Sequence, residues 1–274
     1  MGTLIDLHSH SRASDGQFPA AEVAARAAAA GLACWGLTDH DTVAGLVDGA
    51  AAAAGLGLRF VPGIELSAFL ERREIHLLGH FIDPLHPTLT AFEDLLADER
   101  RKRMRAIVIK LAGLGVHVTE ADIERHSGGK TIGRPHVAQA IVAAGGAPSV
   151  KEAFNRFLGE GQAAYVPRYR LEAAQAVALV RGAGGTVTVA HPGVSKLEVG
   201  ELRRLAAVGV AGLEVIHPDH NPSVRDKYQR AATQLDLVAT AGSDYHGPEV
   251  SPDRHLGMVS MGEAALKALE ARRP

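Results

Sequence analysis

The chain of 274 residues has a single cysteine, Cys34. One thiol excludes a disulfide framework and any thiolate metal site, so a metal bound by this protein would have to be held by nitrogen and oxygen. Excess charge of one sign is missing too: the formal net charge is −2. A broad grip on nucleic-acid phosphates needs a basic surface, so we expect no extended nucleic-acid face, and any basic patch must be local. Long apolar runs are also absent. The Ala-rich stretches at 24–30 and 50–54 are short and interrupted or flanked by Arg26, Asp48 and Gly55, which excludes a bilayer span and suits helices packed closely on a sheet. Met1-Gly2-Thr3 runs directly into an apolar segment, leaving no room for a signal segment. These absences together predict a reducing, cytoplasmic setting with no membrane partner, and nothing in the sequence signals an obligate protein partner.

With 46% hydrophobic residues, the chain can bury one sizeable core and carry an inserted subdomain. Strand-like runs at 4–8, 33–38, 59–66, 74–82, 186–190, 212–216 and 236–242 are interleaved with helical patterns near 19–31, 43–54, 171–183, 197–208 and 223–234. In the first helix, Pro19 and Gly31 sit where an N1 proline and a C′ glycine belong. Such alternation is the signature of an α/β protein of the (β/α) barrel type, whose active face lies at the strand C-terminal ends. The pattern breaks between 88 and 165. A long helix over Leu89–Leu114 and shorter helical pieces near 119–126, 135–144 and 149–158 read as an all-helical cap inserted into a barrel made of 1–87 and 166–274, best placed over the active face, where βα loops emerge.

Where the apolar runs stop, polar residues of one kind recur: His8, His10, Asp15, His40, Glu65, His76, His191, Asp244 and His246. His8 and His10 are two apart, so on a strand both imidazoles share a face and can converge on one ion. A lone pair of this kind could be an accident of a rim position. Repetition of the arrangement at six strand ends makes a cluster of metal ligands the better reading.

The long central helix carries Arg100, Arg101, Lys102, Arg103, Arg105 and Lys110. Charge runs are usually solvated helix faces, but Arg100 and Arg103 share one side and can point together at an anion. In Gly133-Arg134-Pro135-His136, a proline-started helix would place Arg134 at the cap and His136 in the first turn, beside free backbone N–H groups. That combination is an anion site, the alternative being an ordinary helix start with two exposed polar residues.

His8-x-His10 with Asp15, Thr38-Asp39-His40-Asp41, Glu65, His76, His191-Pro192 and Gly242-Ser243-Asp244-x-His246 resemble the successive motifs of the PHP family, named for polymerases and histidinol phosphatases. The insertion with Gly133-Arg134-Pro135-His136 further resembles the stand-alone branch that hydrolyses nucleoside 3′,5′-bisphosphates and trims short RNA from its 5′ end. The resemblance implies a distorted (β/α)7 TIM-like barrel. It also implies that His8, His10, Glu65 and Asp244 hold one ion, that a bridging Glu65 with His76 and His191 holds a second, and that Asp15, His40 and His246 hold a third. Two to three divalent ions are thus expected, with Mn²⁺ favoured and Zn²⁺ or Fe²⁺ also suited to mixed imidazole and carboxylate donors.

The expected chemistry is in-line attack on phosphorus by a metal-bound hydroxide, without a protein nucleophile. The expected substrate is a small phosphorylated nucleotide or short RNA, with Arg134, His136, Arg100 and Arg103 on its phosphate. His220, past the strand that carries Glu214, is the candidate proton donor to the leaving oxygen. Asp6, Asp39 and Asp41 flank ligands and can act as acceptors for imidazole N–H groups or as ordinary strand-end polars. A histidinol-phosphate phosphatase remains an alternative, as does a C–N cleaving amidohydrolase, although no strand supplies a carbamylated lysine. A metal-binding scaffold without turnover is disfavoured by the complete ligand set.

Overall fold

The computed structural model of the protein describes residues 4–127 and 133–274. Contacts within it divide the chain into two units, one built from 1–90 and 170–274 and the other from 91–169.

The first unit is an α/β structure around a seven-stranded sheet in the order β1-β2-β3-β4-β5-β6-β7. Its strands are β1 (Leu4–Asp6), β2 (Leu32–Leu37), β3 (Arg59–Leu70), β4 (Arg73–His80), β5 (Thr186–Val189), β6 (Gly212–Ile216) and β7 (Val238–Ala241). Helices α1 (Ala20–Ala29) and α2 (Leu46–Gly55) follow β1 and β2, and the long helix α3 (Pro87–Gly113) begins in this unit after β4. The chain re-enters through α7 (Ala173–Gly182), and α8 (Val199–Ala207), α9 (Pro222–Gln234) and α10 (Glu263–Glu270) follow β5, β6 and β7. The alternation read from the sequence is present, with boundaries shifted by a few residues. Pro19 is a correction: it is the cap of α1 with extended backbone rather than its first helical residue.

Pairing is parallel for β1-β2, β2-β3, β5-β6 and β6-β7 but antiparallel for β3-β4 and β4-β5. The exceptions have a local cause. β3 and β4 are joined by the two residues Glu71 and Arg72, and so short a link can only return the chain antiparallel. β1 and β7 stand at opposite ends of the ladder. Just beyond them the Leu7 and Asp244 N–H groups donate to the Ala241 and His8 carbonyls, and Ser9 bridges to Tyr245. The α/β class and the seven strands agree with the expectation, while the ladder itself is open.

The apolar core under β1, β2 and β7 is formed by Ile5, Leu7, Cys34, Val61, Val238, Met261, Leu266 and Leu269. The polar residues Asp6, His8, His10, Thr38, Asp39, Glu65, Glu214 and Ser243 are buried as well. Burying that many polar groups away from water is tolerable only if each finds a partner.

The second unit is helical. It holds most of α3, then α4 (Glu120–Ser127), α5 (Arg134–Ala143) and a short α6 (Val150–Ala153) that passes into a π-helical turn at 154–158. Met104, Ile107, Leu111, Ile123, Val137, Ile141 and Leu158 pack into its own core. Among the described residues no helix is long and apolar enough to cross a membrane.

Candidate metal centre

His8 and His10 lie just past β1, His40 just past β2, His191 just past β5, and Asp244 and His246 just past β7. Glu65 and His76 depart from the strand-end expectation, for both sit inside the β3-β4 hairpin. Glu65 pairs with Leu78, which puts it diagonally beside His76 on one face. Because β4 runs backwards, its beginning lies at the edge where the parallel strands end, and His76 joins the other histidines there.

The side chains converge on Glu65. Its Oε2 is 3.1 Å from His8 Nε2, 3.1 Å from His10 Nε2 and 3.4 Å from His40 Nδ1. Its Oε1 is 2.8 Å from His76 Nδ1 and 3.1 Å from His191 Nε2. Asp244 Oδ1 lies 3.4 Å from His8 Nε2 and 3.2 Å from His10 Nε2, which are themselves 3.1 Å apart. Asp15 Oδ1 is 3.3 Å from His246 Nε2 and its Oδ2 3.9 Å from His40 Nε2. Among the described residues three groups are compact enough to hold an ion: His8-His10-Glu65-Asp244, His40-Glu65-His76, and His10-Asp15-His40-His246. Eight of the nine expected residues fall in these groups, with His10, His40 and Glu65 each shared between two of them, and the ninth, His191, adjoins them through Glu65 Oε1.

The spacing suits a first-row divalent ion. Donors at about 2.0–2.2 Å from such an ion stand about 3.0–3.5 Å from one another along octahedral or tetrahedral edges, which is the range seen among His8, His10, Glu65 and Asp244. The orphaned nitrogens agree: Nδ1 of His40 and of His76, the atoms that face Glu65, are buried without an aligned hydrogen bond among the described residues.

Electrostatics set the metal-free state. Burial pushes the Glu65 carboxyl up, but His40, His8 and His76 overcome it and hold the group well below the usual carboxylate range. Asp244 is likewise lowered against its burial by His8 and His10. Burial pulls the imidazoles down, yet the Asp244 and Glu65 carboxylates raise His10 to about 9, and Glu65 raises His76 to about 10. His40 is pulled down to about 4, since burial outweighs its carboxylate neighbours. A site that holds protons so firmly without metal exchanges them for cations when metal binds.

Backbone strain is present here too. His191 (φ 24°), Asp244 (φ 51°) and Asp41 (φ 53°) occupy the left-handed region, which non-glycine residues enter at a cost of order 1–3 kcal/mol and keep only where surrounding contacts enforce it. The His191 N–H donates to Glu214 Oε2 at 2.7 Å, and the Asp244 N–H to the His8 carbonyl at 2.9 Å.

Of the two roles open to the flanking aspartates, the contacts are those of strand-end and loop polars. Asp6 accepts from the Ser243 and Gly257 N–H groups, not from an imidazole. Asp39 accepts from the Ser11 N–H and from the Ser11 and Ser14 hydroxyls, fixing the loop that carries Asp15. Asp41 accepts from the Ser67 N–H. His220 is buried with both ring nitrogens on backbone: Nδ1 on the Val215 carbonyl at 3.0 Å and Nε2 accepting the Gly193 N–H at 3.0 Å. It staples β6 to the turn after His191 and has no nitrogen left for a leaving group, so this geometry gives no support to a proton donor there.

Three further residues reach the cluster; of these the sequence reading places only His217 at the active rim, as a weaker alternative to His220. Glu214 contacts His8 Nδ1. His217 is buried with Nε2 3.5 Å from Asp244 Oδ2. Arg254 pairs with that same Asp244 oxygen and, at 2.7 Å, with Asp219. An acid inside the apolar run Leu213-Glu214-Val215 was a legible signal, whereas Arg254 lies in an irregular segment and gave none.

In the helical unit, Arg100, Arg103, Met104, Ile107, Gly133, Arg134 and Val137 line one pocket. Arg100 and Arg103 are half-buried, while Arg101, Lys102, Arg105 and Lys110 are exposed. Arg101, Lys102 and Arg105 are paired with Asp98, Glu99 and Glu120. Arg103 donates to the Val166 carbonyl and Arg134 to the Leu158 carbonyl. Burial and the neighbouring Arg134 guanidinium lower the Arg103 pKa, the mark of like charges held together. Gly133, rather than Arg134, caps α5, and its N–H donates to His136 Nδ1 at 3.1 Å, so that imidazole also serves the helix start.

Residues 6–125 match the PHP domain. The 3′,5′-nucleoside bisphosphate phosphatase of Chromobacterium violaceum is 34% identical over 249 residues, covering 89% of this chain and 87% of that protein. The 5′-3′ exoribonuclease Rnm of Escherichia coli is 32% identical over 251 residues, covering 89% and 86%. The crystal structure of a candidate metal-dependent phosphoesterase from Bifidobacterium adolescentis aligns with a TM-score of 0.78 at 29% identity, covering 99% of this chain and 97% of that one. Fold, donor cluster and relatives together define a metal-dependent phosphoester hydrolase. The chain belongs to the PHP family.

Proposed function

We propose that the protein hydrolyses 3′,5′-bisphosphonucleosides to 5′-monophosphates and acts on short RNA from its 5′ end. The observation that supports this most directly is the presence in one chain of a carboxylate and imidazole cluster around Glu65 suited to cations and an arginine pocket in the helical unit suited to an anion. A cluster of metal ligands alone suits almost any phosphate ester. A separate guanidinium pocket favours substrates with a second phosphate, because binding energy gained away from the reacting centre is what discriminates such molecules. The named activities of the two curated relatives are of this kind.

In this reading His8, His10, Glu65 and Asp244 hold one divalent ion, Glu65 with His76 and His191 a second, and Asp15, His40 and His246 a third, with Mn²⁺, Zn²⁺ or Fe²⁺ as the cation. Ions bound there would supply Lewis acidity and lower the pKa of a coordinated water. The chain's own residues do the rest. Glu65 presents one oxygen to each half of the cluster, and Asp244 directs Oδ1 at His8 and His10 while Arg254 neutralises Oδ2. Arg100, Arg103 and Arg134 take the phosphate that is not cleaved. The same reading takes the seven-stranded ladder as a distorted barrel, residues 88–165 as its cap, and the cytoplasm as its setting.

The test is phosphate release, with Mn²⁺ present, from 3′,5′-bisphosphonucleosides, 5′- and 3′-mononucleotides, histidinol phosphate and short 5′-phosphorylated RNA. Preference for the bisphosphonucleoside or RNA supports the proposal. Preference for histidinol phosphate, or cleavage of C–N substrates alone, would reject it.

A further inference from the structure

We propose that Glu214 is a positioning residue that ties the two halves of the donor cluster together, holding His8 and His191 in the arrangement that presents their ring nitrogens to divalent ions. The inference rests on the metal-centre reading above and extends it to a residue outside the ligand set.

Glu214 lies on β6 between Leu213 and Val215 and is 1% exposed. A carboxylate buried so completely persists only if its oxygens are satisfied, and both are. Oε1 is 3.1 Å from His8 Nδ1, and Oε2 accepts the His191 N–H at 2.7 Å. His8 belongs with Glu65 Oε2 and Asp244, whereas His191 faces Glu65 Oε1. Glu65 therefore joins the two halves from inside the cluster, and Glu214 joins their supports from outside it.

The contact with His8 decides its tautomer. Nε2 of His8 faces His10, Glu65 and Asp244 at 3.1–3.4 Å. To offer a lone pair there, the ring must carry its proton on Nδ1, where Glu214 Oε1 accepts it. The contact with His191 decides a backbone conformation, since its N–H is anchored while φ is held at 24°. Space for both contacts comes from Gly242, where a Cβ would fall 2.2 Å from His8 Cβ and 2.5 Å from Glu214 Oε1.

The position demands a carboxylate, because both partners donate. The amide of Glu214→Gln has one acceptor and one donor. Turned one way it sets its NH₂ against the His191 N–H, and turned the other way it moves the His8 proton to Nε2 and closes the face offered to the ion.

Metal-free wild type and Glu214→Gln should be titrated with Mn²⁺ and with Zn²⁺ against a competing chelator, with bound stoichiometry and the melting temperature of the metal-free proteins measured alongside. Loss of such a supporting contact costs roughly 10–100-fold in metal affinity, and we expect that loss for the ions of both halves. Wild-type affinity in the variant, or loss of one ion with the other untouched, would overturn the inference. If the variant fails to fold, the Zn²⁺-loaded wild type decides by ¹⁵N NMR: the His8 side chain should show a slowly exchanging proton on Nδ1, and a proton on Nε2 would overturn the assignment. A wild-type chain that binds neither ion would overturn the metal-centre reading itself, an outcome distinct from intact binding by the variant.

Discussion

Replacing Glu65 by Gln keeps the volume of the side chain and removes its charge from among five imidazoles, those of His8, His10, His40, His76 and His191, all within 3.4 Å of a carboxylate oxygen. At such distances and an effective dielectric constant of about 20, one pair of unit charges interacts by about 5 kcal/mol before desolvation is counted. Breaking a buried, hydrogen-bonded charge pair typically costs about 3–5 kcal/mol, and at 1.4 kcal/mol per tenfold this weakens metal binding between about a hundredfold and a few thousandfold. Equilibrium dialysis with elemental analysis should show both ions that share Glu65 falling together, with phosphoesterase activity falling in parallel. The metal-free protein offers a second readout. His76 is raised to about 10 because Glu65, helped by Glu74, outweighs the effect of burial, so in Glu65→Gln burial is opposed by Glu74 alone and the imidazole should titrate lower than in the wild type. A variant that keeps its full complement of metal and its activity, or a His76 titration that does not move, would rule out Glu65 as a carboxylate shared by two ions.

The pH dependence follows from the same groups. His10 and His76 carry pKa values of about 9 and about 10 in the metal-free fold, so their contribution to its stability is full below about 6.5 and lost as pH rises through 9–10, while apparent affinity for Mn²⁺ rises over that interval as protons leave the ligands. Melting curves and metal titrations from pH 6 to 10 check both signs, and a metal affinity independent of pH would contradict them. Arg134→Ala should lower catalytic efficiency on a 3′,5′-bisphosphonucleoside far more than on nitrophenyl phosphate; equal losses would assign Arg134 to the reacting phosphate, and no loss would leave it an ordinary helix-start residue. Cys34, buried in the core with its thiol pushed up to about 12 by burial, should leave the native enzyme insensitive to thiol-blocking reagents, and rapid inactivation that substrate prevents would overturn its placement.

Much of the site was legible because its chemistry requires residue types that apolar strands otherwise avoid. His8, His10, His191 and Asp244 stand where alternating apolar patterns stop, and a histidine or aspartate there has few structural reasons to exist. The elements themselves were legible from period and punctuation, as with α9, read over 223–234 and observed over Pro222–Gln234. Two other features went unread, the first of them local. The antiparallel course of β4, which carries His76 to the right edge, depends on a two-residue link. His220 offered the same imidazole as the ligands but is consumed by two backbone bonds.

The α/β alternation, the helical insertion and the nine donors of the candidate metal centre are written in the order of residues, since each follows from side-chain type, periodicity and the effects of glycine and proline within a few positions. Folding alone settles which donors share an ion-sized space, that His220 is held on backbone groups, and that Glu214 reaches both His8 and His191. Those outcomes depend on side chains more than 200 residues apart meeting at about 3 Å, and a directional interaction of that range is set by strand register and burial, which no short stretch of chain contains.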